Sequence, residues 1–265
     1  MPTSYRDEQR QRWDSLAAAH GSTEPLRAVI GSTPLGNDYL DRTTKRFLGK
    51  LLRVGADDVV LDYGCGVGRL AHWLAPQVRQ VIAMDISPKM IDVAAAESAK
   101  REIDNATFAV AAGYTLPVET ASVDVVICGS VLKYVLDDDD LAVLVEEFGR
   151  ALSAGGRLAV IEEVDEDGPV VVSGSEEIGG TSRLRPVSEY RDLFARHGMS
   201  ADGDWPVYRQ RVLRLYARAG GTGKPSPWLA NTLVKTEIRV ESLLRSRVKA
   251  RRGFRLLYFV RDRER

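Results

Sequence analysis

Two carboxylates and three closely spaced glycines carry the clearest chemistry in this chain. Leu61-Asp62-Tyr63-Gly64-Cys65-Gly66-Val67-Gly68-Arg69-Leu70 runs from an apolar stretch into a glycine-rich turn and on into a helical pattern. Glycines there let the backbone turn sharply and let a ligand approach the main chain closely. The helix start beyond the turn offers free N–H groups to an anion. The nicotinamide fingerprint spaces its glycines G-x-G-x-x-G. Here the spacing is G-x-G-x-G, Arg69-Leu70-Ala71 follows Gly68, and Asp62 stands two residues before the first glycine. A carboxylate so placed would repel a pyrophosphate, but it suits a ligand that carries an ammonium and a carboxylate together. Asp85 ends the next apolar run, 21 residues beyond Gly64. An acid at that place accepts hydrogen bonds from ribose hydroxyls.

Further candidates follow from the ends of later apolar runs. Ser130, Lys133, Tyr134, Glu162 and Glu163 are expected beyond the C-terminal ends of strands, where doubly wound folds bind their substrates. Glu162, Glu163 and Tyr134 are the candidate catalytic groups, since a hydroxyl nucleophile benefits from a general base. A solvated loop start explains the two glutamates equally well. Arg183 and Arg185 could clamp an anionic acceptor, and Trp13, His20 and Tyr39 could belong to a lid. Asp137–Asp140 read as acids favoured at a helix start, and no metal site is expected. His72 and His197 read as structural, and Cys65 and Cys128 as small packing residues.

These residues need a scaffold. VVLDY (59–63), QVIAMD (80–85), TFAVA (107–111), VDVVICG (123–129) and RLAVIEE (157–163) read as strands. Helical patterns over 68–75, 88–101 and 138–152 separate them. Near-continuous apolar strands alternating with helices imply a parallel sheet covered on both faces. Right-handed crossovers then make a doubly wound α/β sheet the natural architecture. Two helical patterns precede it, 5–19 and 37–52, the second with Asn37 or Asp38 as candidate cap. Residues 164–186 read as a long acceptor loop, 187–197 as a helix, 205–218 as a strand, roughly 228–248 as a basic amphipathic helix, and 253–262 as a closing strand. The expected organisation is a helical lid over 1–54, an α/β core over 55–219, and a basic helix with a closing strand over 220–265.

The ordered motifs resemble those of class I S-adenosylmethionine (SAM)-dependent methyltransferases, in particular the small-molecule and glycan group. LDYGCGVG resembles the family's first motif and MDISPKM its second. LP-x4-S-x-D resembles the segment into the fourth strand, and L-x-x-G-G-R the turn before the fifth. The resemblance covers about 55–163 well and 183–199 loosely. It implies a seven-stranded, mostly parallel Rossmann-like sheet, SAM as cofactor, and methyl transfer to an O or N atom of a small molecule, a sugar, glycan or glycolipid included. By the same resemblance Asp62, Gly64, Cys65, Gly66 and Gly68 line the methionine part of SAM, with Ser130 beside it. Asp85 holds the ribose, Ile86 and Met90 lie near the adenine, and Gly113 and Tyr114 recognise its edge or face. The sequence departs from the family in having Ala112 where an acid is common, and Tyr134 where a histidine is common.

Composition limits the alternatives. The 265 residues are 44% hydrophobic and 28% charged, with 37 basic and 37 acidic residues, enough for one α/β domain and far too apolar for a disordered chain. No run approaches the roughly 18–20 apolar residues of a membrane span. Two cysteines and a polar first segment give a cytoplasmic expectation. The zero net charge is uneven: residues 205–265 carry +12 and residues 1–204 carry −12. The basic section could complement the acidic body within the chain or across a homodimer, or touch an anionic membrane surface through Trp228, Leu229, Leu233, Leu243 and Leu244. No specific nucleic acid is expected. A SAM-binding protein without catalysis, an RNA methyltransferase and an NAD-dependent oxidoreductase are the rival readings, the last disfavoured by Asp62.

Overall fold

The structure is a computed structural model that describes residues 4–21, 33–173, 180–208, 215, 216, 218, 225–243 and 251–263. Its centre is β1 (Val59–Tyr63), buried along its whole length, because a middle strand of a parallel sheet is covered on both faces. β2 (Gln80–Asp85), β3 (Ala106–Val110), β4 (Val123–Gly129) and β5 (Leu152–Asp165) join it in parallel. β8 (Met199–Pro206) and β9 (Arg252–Arg261) complete a seven-stranded sheet of order β3-β2-β1-β4-β5-β9-β8, in which β9 runs antiparallel to both neighbours. The order reverses direction between β1 and β4, so the crevice beyond their C-terminal ends is the natural ligand site.

Side-chain alternation divides the core. Leu61 and Tyr63 point to the face covered by α5 (Asp138–Ala151) and α6 (Val187–Arg196), among Phe148, Tyr190 and Phe194. Val60 points to the other face, with Phe47 and Leu48 of α2 (Pro34–Leu51) and Leu70, Ala71 and Leu74 of α3 (Arg69–Leu74). α4 (Pro88–Lys100) covers that face beside β3, and α1 (Tyr5–His20) packs against α4.

Several elements differ from the sequence reading. α2 is capped by Thr33, whose side chain accepts from Gly36 N–H, with Pro34 at the first helical position. Neither Asn37 nor Asp38 is its cap; the apolar period starts later than the helix because the Thr-Pro pair supplies the start signal. The expected loop 164–186 contains a two-stranded hairpin, β6 (Val170–Ser173) with β7 (Thr181–Leu184); its residues 174–179 lie outside the described residues. Of the expected strand 205–218 only 205–206 falls in a strand, Met199–Pro206, while residues 209–214 and 217 lie outside the described residues. That strand is the sheet edge, Met199 is its only buried residue, and apolar alternation is therefore not required of it. α7 (Pro227–Leu243) covers the helical part of the expected basic helix, but within its sequence Lys235 and Arg239 are balanced by Glu237 and Glu241; its expected end at 244–248, Leu244 included, lies outside the described residues. Its Val234 and Ile238 pack on α2, while Trp228 is exposed. The Asp137–Asp140 run is a cap: the Asp137 carboxylate accepts from the N–H groups of Asp139 and Asp140 at 2.9 and 3.1 Å. Basic residues of the C-terminal section meet acids of the body, Arg251 on Asp167 at 2.6 Å, Arg252 on Glu163 at 3.3 Å and Arg255 on Asp204. Among the described residues no helix is long and apolar enough to cross a membrane.

Candidate active site

The glycine turn is built by β1 ending beside β2. Gly64 and Cys65 donate N–H bonds to Met84 O at 2.7 and 2.9 Å, which folds the turn over the end of β2. Gly64 sits at φ +76, and a methyl group on it would lie 2.1 Å from Val131 Cγ2. It must be glycine because the segment after β4 closes directly on it. Gly66 donates its N–H to Asp85 Oδ2 at 2.9 Å, and Ser87 N–H reaches Asp85 Oδ1 at the same distance. The turn is thereby tied to the expected ribose carboxylate. Gly68, also left-handed, precedes the first residue of α3.

Asp62 is buried beneath this turn, and its Oδ2 has no hydrogen-bond partner. Burial pushes its carboxyl up to about 7; neighbouring Asp85 adds to the rise and Arg69 opposes it. Asp85 is raised to about 6, again chiefly by loss of water, against the N–H bonds it accepts. Cys65 and Cys128 are buried thiols with pKa values pushed up by burial, so neither is set up as a thiolate nucleophile. A buried carboxylate oxygen without a donor is costly. It fits a ligand that brings a cationic donor to it, and the pair Asp62 and Asp85 fits the ammonium and ribose of SAM.

α1 lies across the remaining points of this outline. Arg6 donates to Ala111 O at 2.8 Å and Gly113 O at 3.1 Å, with its guanidinium 5.0 Å from the Tyr114 ring centre. Asp14 accepts from Ser87 Oγ at 2.5 Å and Lys89 N–H at 3.2 Å. Trp13 meets Tyr134 edge-on at 5.8 Å. Ala17 packs on Val67 and Met90. Met90 is therefore sealed under α1, packing rather than lining an open adenine face, and Ile86 beside it is half-buried. His20 lies in the last turn of α1. Tyr39 is placed elsewhere than the lid position expected for it: it is fully buried in the seam with Val234 and Ile238 of α7.

Beyond β4, Ser130 takes φ +59 and donates its N–H to Ile161 O at 2.7 Å. Glu162 is fully buried, and its Oε1 accepts from the N–H groups of Val131 and Leu132, both at 2.6 Å. Through Oε1 it holds the turn Leu132–Tyr134 from below, because β5 alternation sends it into the sheet face, while its Oε2 is buried without a hydrogen-bond partner. Burial pushes its carboxyl up to about 7, opposed by Lys133 and by those N–H groups. Glu163 points the other way, half-buried, between Lys133 at 3.7 Å and Arg252 at 3.3 Å. Lys133 also lies 5.2 Å from the Tyr134 ring centre and 5.1 Å from that of Phe254.

The expected anion clamp is not one. Arg183 binds Leu136 O and Asp138. Arg185 is wholly buried, bonded to Val135 O, Asp138 and Glu189. Both arginines brace β7 against the start of α5 through the shared, exposed Asp138, with Glu189 as the second carboxylate on Arg185. The sequence reading missed Arg6, Gln9, Arg12 and Asp14 on α1. Their type suggests a solvated helix face, and the one available signal was their spacing beside Trp13.

Residues 60–156 match the protein family described as methyltransferase domain. An uncharacterised methyltransferase of Bacillus subtilis (strain 168), YcgJ, is 27% identical over 137 residues, 52% of each chain. A ubiquinone biosynthesis O-methyltransferase of Xylella fastidiosa (strain 9a5c) is 32% identical over 161 residues, 59% of each chain. The chain thus spans about half to three-fifths of these curated relatives' length. Among solved structures, geranyl diphosphate C-methyltransferase from Streptomyces coelicolor A3(2), solved with Mg2+, a substrate analogue and S-adenosylhomocysteine, superposes with TM-score 0.67 at 17% identity, covering 98% of this chain and 99% of that one. The [4+2]-cyclase SpnF superposes with TM-score 0.58 at 16% identity, over 84% of this chain and 81% of that one. Residues 60–156 are therefore similar to a methyltransferase domain, and the chain as a whole shares the Rossmann-like fold of these methyltransferase structures.

Proposed function

We propose that the protein binds SAM at the β1–β4 crevice and transfers its methyl group to an O or N atom of a small-molecule acceptor. The observation that carries this reading is Asp62, buried under the glycine turn with one oxygen lacking a donor, beside an Asp85 carboxylate fixed by the N–H groups of Gly66 and Ser87. Asp62 would take the ammonium, Asp85 the ribose hydroxyls, and Tyr114 with the Gly113 backbone the adenine. Bound SAM supplies an electrophilic methyl group on a sulfonium, a leaving group already activated. The chain's task is then positioning and exclusion of water. α1 excludes water by spanning Tyr114, Ser87, Val67 and Tyr134. Tyr134 is the candidate to orient an acceptor hydroxyl or amine, on a turn whose position Glu162 fixes. Glu163, paired with Lys133 at the site rim, is the candidate to receive the acceptor's proton.

One named relative is a ubiquinone biosynthesis O-methyltransferase, so phenolic and quinone precursors belong in the acceptor screen beside sugars and glycans. The fold alone does not establish methyl transfer, since a cyclase shares it. Calorimetric titration with SAM and S-adenosylhomocysteine, with NAD as control and Asp85→Ala alongside, tests the cofactor reading. Binding of both sulfur ligands, weakened by Asp85→Ala, is expected. Binding of NAD alone would overturn it, and binding without turnover across the screen would point to a non-catalytic SAM protein.

A further inference from the structure

Arg12 is a half-buried arginine on α1 that pairs with no carboxylate among the described residues. Its Nε and Nη1 are buried and neither has a hydrogen-bond acceptor. Around it are Tyr5, Gln9, Trp13, Tyr134 and the β6–β7 hairpin. Its guanidinium lies 5.3 Å from the Trp13 ring centre, and a methyl group on Gly180 would come within 3.0 Å of both Arg12 Nη1 and Gln9 Nε2. Tyr5 donates to Thr181 O and accepts from Gln9 Nε2, which leaves Gln9 Oε1 also buried without a donor. Burial lowers the Arg12 pKa, and the tyrosine oxygens of Tyr134 and Tyr5 oppose the fall. Burying guanidinium nitrogens without acceptors is costly, and the planar fork of donors matches carboxylate and phosphate oxygens.

The helix geometry separates this group from the cofactor. Tyr5, Gln9 and Arg12 follow i, i+4, i+7 spacing and so share one stripe, which faces the hairpin through Thr181 and Gly180. Arg6, Trp13 and Ala17 form the adjacent stripe, which contacts Gly113, Tyr134, Val67 and Met90. Neither Asp62 nor Asp85 is among the charges that act on Arg12. The hairpin itself lies outside the matched segment 60–156.

We propose that Arg12 is the anion receptor of the acceptor pocket, so that the acceptor carries a carboxylate or phosphate held between α1 and the β6–β7 hairpin with its reactive atom toward Tyr134. This rests on the methyltransferase reading and narrows its acceptor class. Removing the guanidinium from a charge-assisted contact should cost about tenfold in affinity.

The experiment titrates benzoate, phenyl phosphate and neutral benzamide into the protein saturated with S-adenosylhomocysteine, using the unaltered chain, Arg12→Gln and Arg12→Lys. One anion should bind the unaltered protein at least about tenfold more tightly than benzamide, and which one binds identifies the acceptor's group. Arg12→Gln should remove that preference, Arg12→Lys should retain part of it, and S-adenosylhomocysteine affinity should stay within about twofold. The proposal is overturned if neither anion exceeds benzamide, or if Arg12→Gln leaves the preference intact. It is equally overturned if Arg12→Gln weakens S-adenosylhomocysteine but not 5′-methylthioadenosine, which lacks the amino-acid carboxylate. Failure of S-adenosylhomocysteine to bind the unaltered protein would instead remove the cofactor reading. The anion titrations, repeated without cofactor, would still test Arg12.

Discussion

Asp14 on α1 accepts a 2.5 Å hydrogen bond from the hydroxyl of Ser87, the residue that caps α4 and whose N–H holds Asp85. The first helix is thus fastened to the same loop that fixes the Asp85 carboxylate. Lid position and cofactor-site geometry are coupled through one serine.

Asp14→Ala should loosen that fastening without touching the sheet. Arg6, on the far side of the lid, would still bind Ala111 and Gly113, so α1 should remain helical. Amide exchange in α1 should accelerate, and S-adenosylhomocysteine affinity should fall several-fold, about the loss of one charge-assisted hydrogen bond. Ser87→Ala should reproduce the loosening and also lose the cap to Met90 N–H. Exchange in α1 unchanged by both substitutions would show that the contact does not hold the lid.

How much of this was legible in the sequence depends on the range over which each residue works. The glycine turn, Asp62 and Asp85 lie in strand–turn–helix units, where local pattern and ligand geometry coincide. The strands around them followed from the apolar runs. Arg185 was misread because its partners, Asp138 and Val135, lie nearly 50 residues away on another element. Arg12 was missed because a polar side chain on a polar helix looks solvated until the hairpin is placed against it. β8 was largely missed because an edge strand holds its place through backbone bonds to β9, which leave little trace in side-chain type.

Binding of a cationic amino acid moiety to Asp62 should release a proton. The free carboxyl is raised to about 7 by burial, so near pH 6.5 much of it is protonated. An ammonium placed against it favours the charged form. Calorimetry of S-adenosylhomocysteine binding in buffers of different ionisation heat should therefore show release of up to about one proton, shrinking toward pH 8.5. Asp62→Asn should abolish it. Heats independent of buffer at pH 6.5 would mean that the ligand's ammonium lies elsewhere.

Glu162 gives stability its own pH dependence. Its folded carboxyl stands at about 7, above the unfolded value of about 4.3. Its stabilising contribution is therefore fully present below the unfolded value and is lost as pH rises through 7, since the native state holds the extra proton. Asp62 acts in the same direction. The melting temperature should decline between pH 5 and pH 8, and the decline should be smaller in Glu162→Gln, which can still accept from Val131 and Leu132 through its amide oxygen. A protein of this size shifts by about 2–4 °C per kcal/mol, so a difference of a few degrees is the expected readout. A melting temperature that rises over that interval equally in both proteins would contradict the buried, protonated state of Glu162.

Gly64 and Val131 provide the test of how tightly the two ligand-bearing turns close on each other. In Gly64→Ala the new methyl group meets Val131 Cγ2 at 2.1 Å, and the residue must also hold φ +76. The left-handed backbone costs about 1–2 kcal/mol, and the contact forces Val131 and its hydrogen bond to Glu162 to move. The single variant should lose more than about 2 kcal/mol in denaturant unfolding, together with S-adenosylhomocysteine binding. Adding Val131→Ala removes both methyl groups that face Gly64. The double variant should regain the part due to the contact and keep the part due to φ, a positive coupling that a double-mutant cycle measures directly. If the two substitutions were merely additive, the closure of the β4 turn on the glycine turn would not be what requires glycine at 64, and backbone conformation alone would account for it.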